Sequence, residues 1–178
     1  MHNRATTLRQ IAAEYDSAPV ASKETVQAYE DLSRWVEVWF KDMRWSLDII
    51  PVGNAEPYAT AQEQANAVAK GRVEVSQQHL SHEVMSDGEN WRYRAFHDVI
   101  GHANVEGVTA GFTKSGEILA WKIQRQYMLD NGATNAAIAV GFTETLGNFA
   151  SKLVAGEYPK QIAAVLGSFN ASRIVNDI

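Results

Sequence analysis

A long amphipathic pattern near the start of the chain most constrains its fold. Between residues 22 and 44, apolar side chains recur at every third or fourth position, as on one face of an α-helix. Ser22 is a suitable N-cap, and Glu24 lies in the first turn. A helix of this length buries such a face against other helices, so the pattern predicts a helical domain. The stripe comprises Val26, Tyr29, Leu32, Trp35, Val36, Trp39 and Phe40.

Helical periodicity also covers most of the remaining chain. It predicts helices over residues 7–15, 59–70, 91–103, 115–129 and 134–155, and a last short helix from Pro159 to Leu166. Residues 46–52 and 72–77 have the composition or alternation of extended segments. We therefore expect a mainly α fold with two short extended segments. A single compact helical domain would span residues 1–178, with an N-terminal helical arm (1–45) and a metal-binding helical core (89–156).

Composition excludes several classes of function. The chain contains no cysteine, so disulfides, thiolate metal sites and cysteine nucleophiles are ruled out. Its net charge of −5 makes duplex DNA and anionic lipid poor partners. No apolar stretch approaches the ~20 residues of a membrane-spanning helix. We expect a cytoplasmic protein that acts on a small molecule without a membrane partner, and the sequence leaves its oligomeric state open.

Two histidines in the run FHDVIGH (residues 96–102) form the first candidate site. Neutral imidazole is the most versatile metal ligand available to a chain without cysteine. His97 and His102 are five residues apart, and five positions on a straight α-helix rotate by roughly 140°. A bend or loosened turn is therefore needed to bring both rings to one ion, and Gly101 permits it. The alternative is a hydrogen-bonded core histidine followed by a helix-capping one.

A third ligand must come from elsewhere in the chain, and a carboxylate is expected. Glu117 and Glu144 each interrupt an otherwise apolar helical pattern, where an unpaired buried carboxylate is costly. Glu144 lies on a lane of small residues, which leaves room for an ion or ligand. The alternative is a close helix–helix contact in which Glu144 bonds to Arg92 or Arg94.

These motifs resemble the iron-binding core of the pterin-dependent aromatic amino acid hydroxylases, phenylalanine hydroxylase in particular. In that family, two histidines of an FH-[DE]-x-x-GH run and a later helical glutamate form a facial triad on Fe(II). Here the run FTETLG (residues 142–147) places Glu144 42 residues after His102, and Glu117 occupies the place of a further family glutamate. The resemblance covers roughly residues 91–150. The same region, with upstream segments, also resembles small phage-encoded proteins without an assigned activity.

The resemblance implies a minimal hydroxylase-like catalytic core with His97, His102 and Glu144 as Fe(II) ligands. An Fe(II)-dependent monooxygenase of this kind uses dioxygen to hydroxylate a small aromatic or heterocyclic substrate, such as an amino acid or a nucleobase. The metal centre carries over better than the pterin, because the chain is too short to hold the family's pterin-contacting loops in recognisable form. The family's proline-rich substrate loop is replaced here by residues 90–95, so free phenylalanine is a weaker candidate.

Further residues near the motifs have candidate roles. Asp98 and Glu117 are candidate catalytic acids or acceptors for the imidazole N–H groups. Arg92 and Arg94 could hold an acidic group of the substrate or pair with surface acids. Aromatic side chains near the motifs, Trp121 and Phe142 among them, are candidates for the walls of a substrate pocket.

Two other interpretations remain at this stage. In the first, His97 and Asp98 belong to an HD-type divalent-metal phosphohydrolase, which also requires His79 or His82 and a further aspartate, Asp130. It leaves Gly101, His102 and Glu144 unexplained. In the second, the chain is a non-catalytic phage or host accessory protein that binds a partner through the aromatic stripe of residues 35–40.

Overall fold

Helices form most of the protein, as the apolar periodicity predicts. The computed structural model describes residues 6–103, 109–166, 174–175 and 177. Two helical stretches contain a π-helical segment, in which backbone N–H groups bond five residues back instead of four. In chain order the helical elements are α1 (Leu8–Asp16), α2 (Lys23–Met43), α3 (Ala61–Ala69), α4 (Asp87–Phe96), the segment π1 (His97–His102), α5 (Lys114–Asp130), α6 (Asn135–Phe142), the segment π2 (Thr143–Gly147) and α7 (Asn148–Ala155).

Serine and threonine side chains define where the α-helices begin. The hydroxyl of Ser22 accepts a hydrogen bond from the backbone N–H of Thr25, which satisfies one of the free donors in the first turn of α2. At the other end of the helical core, Gly156 adopts the left-handed conformation, with φ +84°, and ends α7. The same kind of hydroxyl cap begins α1, α3, α4, α5 and α6, at Thr7, Thr60, Ser86, Thr113 and Thr134.

The two predicted extended segments pair with each other. Strand β2 (Asp48–Pro51) runs parallel to β3 (Arg72–Val75), and α3 forms the crossover between them. Val73 and Val75 are fully buried, so this small sheet packs on the helical core. A second parallel pair joins β1 (Thr6–Thr7) to β4 (Ile174–Val175).

The apolar stripe of α2 lies inside the protein. Helix α2 packs against α4 and α6, and α1 packs against α7, so residues expected to form an arm contribute to the main core. Trp39 and Phe40 are 6% and 9% exposed, and the Trp35 ring packs edge-on against Phe96. The stripe is thus largely occupied by intramolecular contacts, which weakens its interpretation as a partner-binding surface. No helix in the described part of the chain, α2 included, has the length and apolarity to cross a membrane.

The prediction of a last helix from Pro159 to Leu166 is wrong. In the structure these residues run without helical hydrogen bonding, and Gln161 forms an isolated bridge with His82. Side chains of other elements satisfy the backbone instead. Tyr29 Oη accepts from the N–H of Ala164, and Thr143 Oγ1 accepts from the N–H of Leu166. Hydrogen bonds to side chains of other elements therefore replace the backbone hydrogen bonds of the helix that the sequence pattern predicts.

Candidate metal centre

The π1 segment brings both motif histidines to one face. Its hydrogen bonds connect residues five apart, as in the 3.0 Å bond from Ala103 N–H to the Asp98 carbonyl, so His97 and His102 are one turn apart. Their Nε2 atoms are 3.0 Å from each other. A Cβ atom at Gly101 would lie 3.3 Å from His97 Nδ1 and 3.3 Å from Ala120 Cβ. The loosened turn that the five-residue spacing requires is present, and the glycine gives the first ring its space.

Glu117 supplies the carboxylate that faces these two rings. It lies in the first turn of α5, which packs directly against π1. Its Oε2 is 3.5 Å from His97 Nε2, and its Oε1 is 3.4 Å from His102 Nε2. One ligand atom from each of the three residues lies within 4.8 Å of the others. In the described part of the chain, this is the one group of three such side chains that could hold a metal ion.

The protonation of Glu117 and His102 is linked. Burial by itself raises the pKa of Glu117, but hydrogen bonds and charge from His102 and His97 outweigh it, so the net shift is well below the ordinary value. Burial by itself lowers the pKa of His102, but Glu117 outweighs it, so the net shift is upward. The pocket therefore favours a negative carboxylate beside positive charge.

Buried hydrogen bonds determine which nitrogen of each histidine is available. His102 Nδ1 is 2.8 Å from the Ala110 carbonyl, so Nδ1 carries a proton, and in the neutral ring the lone pair is on Nε2. His97 Nδ1 is 3.0 Å from Gln124 Oε1, which gives the same tautomer. The orientation of the Gln124 amide is set in turn, because its Nε2 donates to Tyr93 Oη at 2.8 Å while the Tyr93 hydroxyl donates to the Gly141 carbonyl. Both Nε2 lone pairs consequently point into the cluster.

The short distance between the Nε2 atoms of His97 and His102 requires a proton or a metal ion between them. Two neutral imidazoles whose Nδ1 atoms donate elsewhere cannot hydrogen-bond to each other through Nε2, yet these atoms of His97 and His102 are 3.0 Å apart. Either a proton or a metal ion must lie between the two lone pairs and the carboxylate of Glu117. Two neutral imidazoles, one carboxylate and N–H groups held by buried acceptors are a typical donor set for a divalent transition metal.

Sequence reasoning did not identify Gln124, although a signal was present, and it placed Tyr93 among the candidate aromatic walls without its hydrogen bond to this amide. Gln124 is fully buried, and it occupies the inner face of α5 with Trp121 and Met128, at helical spacing. A polar side chain within such a stripe needs a buried partner. The identity of that partner, His97, depends on how α5 packs against π1, which local pattern does not specify.

The structure places Glu144 outside this cluster. Its Oε1 accepts a 2.5 Å hydrogen bond from Tyr29 Oη and lies 3.4 Å from His82 Nε2. Neither Arg92 nor Arg94 pairs with it among the described ion pairs. The carboxylate grouped with the two histidines is therefore Glu117 and not the expected Glu144, because α5, rather than π2, presents its acid to the Nε2 atoms. Both glutamates nevertheless line the same cavity.

The geometry of His82 bears on the phosphohydrolase interpretation. His82 Nδ1 accepts hydrogen bonds from the backbone N–H groups of Val84 and Met85, so the ring is neutral with its proton on Nε2. Its one nitrogen lone pair, on Nδ1, already accepts from these two N–H groups and is not available to a metal. His79 stacks against Tyr158, and Asp130 is exposed at the end of α5, bonded to Gln126. The structure does not gather the additional ligands that this interpretation requires.

The remaining predicted site residues divide into two groups. Asp98 and Arg94 line the cavity; burial raises the pKa of Asp98, against the opposing effect of His97, His102 and Arg94. Arg94 Nη1 also donates to the carbonyls of Ser76 and Gln78.

The other three predicted site residues, Arg92, Trp121 and Phe142, do not line the cavity. Arg92 interacts electrostatically with Glu37 and Glu89, while Trp121 and Phe142, 1% and 3% exposed, pack edge to face in the core.

The cavity itself has a volume of about 450 Å³. Asp98, Glu117 and Glu144 contribute its acidic groups near the histidines. Tyr93, which precedes the FHDVIGH run, is one of its aromatic residues, and the others lie outside the sequence motifs: Tyr58, Phe112, Phe149 and Tyr158. Such a space, mixed in polarity and lined by aromatic rings, suits a small flat ligand.

Comparison with known proteins found no matching family model, no matching curated protein and no matching solved structure. Function must therefore be argued from the site.

Proposed function

We propose that this protein is a metal-dependent enzyme that holds one divalent ion of the Fe(II) class between His97, His102 and Glu117. The observation that carries the proposal is the 3.0 Å approach of two Nε2 atoms whose rings donate through Nδ1 elsewhere. A divalent ion bound to both Nε2 atoms uses the two lone pairs, and the adjacent carboxylate offsets part of its charge.

The reaction we propose is the oxygen-dependent hydroxylation of a small aromatic or heterocyclic substrate. A centre with two histidines and one carboxylate leaves open positions for dioxygen and a co-substrate when Fe(II) is bound. The cavity beside the cluster has a suitable volume, and the rings of Tyr58, Phe112 and Phe149 can contact a flat substrate. Gln124 and the Ala110 carbonyl hold the histidine tautomers needed for binding.

Two isosteric variants test the ligand set. Protein purified without oxygen and loaded with Fe(II) should bind about one ion per chain, and Glu117→Gln should lower the affinity by more than about 100-fold, because a ligand is lost. Glu144→Gln is the matched control, a carboxylate in the same cavity, and should retain the metal. Metal content by mass spectrometry and Fe(II) titration measure both. Loss of metal in Glu144→Gln but not in Glu117→Gln would return the assignment to the glutamate expected from sequence.

The reaction class needs a second experiment. Oxygen uptake is followed with the Fe(II)-loaded protein, a pterin or another reductant, and a panel of aromatic amino acids, nucleobases and nucleosides. We expect uptake coupled to formation of a hydroxylated product, absent in Glu117→Gln. Phosphate-ester hydrolysis without oxygen, abolished by Asp98→Ala, would replace the oxygenase with a hydrolase.

A further inference from the structure

Glu144 forms a second polar site in the same cavity. Its side chain is 4% exposed and is approached by two groups from distant parts of the chain, Tyr29 on α2 and His82 before α4. The Tyr29 hydroxyl donates to Oε1 at 2.5 Å, and His82 Nε2 lies 3.4 Å from the same oxygen. The hydrogen bond and the ion pair found for Glu144 in the described part of the chain both involve Oε1, so Oε2 can accept from a ligand in the cavity.

The groups that surround Glu144 do not balance its charge. Tyr29 is a neutral donor, because burial, followed by the charge and the hydrogen bond of Glu144, raises its pKa well above the ordinary value. His82 is neutral because its Nδ1 accepts two backbone N–H groups. No lysine or arginine in the described part of the chain forms an ion pair with Glu144.

The other cavity acids near the metal cluster differ in this respect. Glu117 faces His97 and His102, and Asp98 interacts electrostatically with Arg94 as well as with both histidines. A buried carboxylate without a cation is unfavourable, and a ligand that brings positive charge relieves this cost. Of Glu117, Asp98 and Glu144, Glu144 is thus the acid for which a cationic ligand would supply the positive partner.

We propose that Glu144 recognises a protonated amine carried by a flat apolar ligand. Oε2 offers a charge-assisted hydrogen bond to an ammonium group, while Tyr29 holds the opposite oxygen. The aromatic side chains of Tyr58, Phe112 and Phe149 provide contacts for the body of the ligand. The identification of this ligand as the substrate rests on the proposed function; the recognition of the amine does not, because it requires no metal.

A matched pair of small probes tests this inference. Benzylammonium and benzyl alcohol have similar shape, and only the first is charged at neutral pH. Titrations followed by nuclear magnetic resonance use the full chain with a chelator present. Wild type should bind benzylammonium at least about tenfold more tightly than the alcohol. Glu144→Gln should remove this preference, and Glu56→Gln, an exposed acid on the same cavity, should keep it.

A second variant separates charge from hydrogen bonding at the same site. Tyr29→Phe leaves the carboxylate of Glu144 in place, so we expect the preference for the ammonium probe to remain. Circular dichroism establishes whether each variant is folded. If Glu144→Gln is not folded, Glu144→Asp replaces it, because aspartate retracts the charge by one methylene. Glu144→Asp should lower the affinity for benzylammonium and leave the affinity for benzyl alcohol unchanged.

Three results would overturn the inference: equal affinity of wild type for both probes, an unchanged preference in Glu144→Gln, or no binding of benzylammonium at millimolar concentration. Loss of metal from Glu144→Gln also overturns it, since Glu144 would then be a metal ligand. A retained amine preference in a wild type that binds no metal contradicts only the proposed function.

Discussion

Two π-helical segments carry acidic or basic side chains into one cavity, and they use them differently. In π1, His97 and His102 lie on one face and meet Glu117 from α5, which forms a cluster suited to a metal ion. In π2, Glu144 accepts a hydrogen bond from Tyr29 and lies 3.4 Å from the neutral ring of His82. The same rare backbone device therefore presents two different sets of polar groups. The comparison teaches that partners from packed helices, rather than the motif itself, decide which groups surround each segment.

The largest loss of stability is expected from a substitution in the first turn of α5, because this turn holds Glu117 beside π1. A Cβ atom at Gly116 would lie 1.7 Å from the Gly111 carbonyl oxygen, so Gly116→Ala must displace backbone. We expect a loss of about 3 kcal/mol in the free energy of unfolding and a weakened metal site. Urea denaturation and metal titration measure these. Gly88→Ala is the control, since its nearest atom is the flexible Arg92 guanidinium at 3.6 Å, and an equal loss there would contradict the explanation.

The second prediction concerns metal affinity and tests whether a buried hydrogen bond orients the His97 ring of π1. Gln124→Leu removes the acceptor of His97 Nδ1, which frees the ring to change tautomer. We expect metal affinity to fall about 10–100-fold, as for other partners that orient metal-bound histidines. Fe(II) or Zn(II) titration measures the change. Gln126→Leu alters an exposed glutamine on the same helix and should leave affinity unchanged. If both variants bind metal like wild type, the buried amide is structural only.

A third prediction concerns the packing of π2. A Cβ atom at Gly147 would lie 2.8 Å from Tyr15 Cδ2 and 2.9 Å from Leu166 Cδ1. Gly147→Ala should cost about 1–3 kcal/mol in the free energy of unfolding, because these side chains must move. Gly141→Ala meets its nearest atoms at 3.4 Å and should cost less. Thermal and urea unfolding of the pair provide the comparison, and the reverse order would show that π2 is loosely packed.

The smallest effect should distinguish the two segments most clearly. Tyr29→Phe removes the hydroxyl that donates to Glu144 and accepts from Ala164 N–H. We expect a loss of about 1 kcal/mol in the free energy of unfolding, since a buried N–H is left without its partner. Metal content should be unchanged, because Tyr29 does not contact the π1 cluster. Tyr158→Phe, an exposed tyrosine on the cavity, is the stability control. A fall in metal content in Tyr29→Phe would mean that the two sites are not separate.

Local sequence determined the helical framework of this protein and the two histidines of its candidate metal site. Apolar stripes at helical spacing and hydroxyl caps such as Ser22 depend on near neighbours, so α2 and the extended segments that contain β2 and β3 could be predicted, whereas the parallel pairing of these strands was not. His97 and His102 were identified from their spacing, and Gly101 indicated the loosened turn that π1 provides.

Only the tertiary structure decided which carboxylate joins those histidines. Glu117 and Glu144 both interrupt apolar helices, so local pattern cannot choose between them; the packing of α5 against π1 brings Glu117 to the Nε2 atoms. The irregular course of residues 159–166 has the same origin, because its N–H groups bond to side chains such as Tyr29 that are more than 130 residues away. Long-range hydrogen bonds and charge pairing depend on which elements pack together, and that information is not contained in local periodicity.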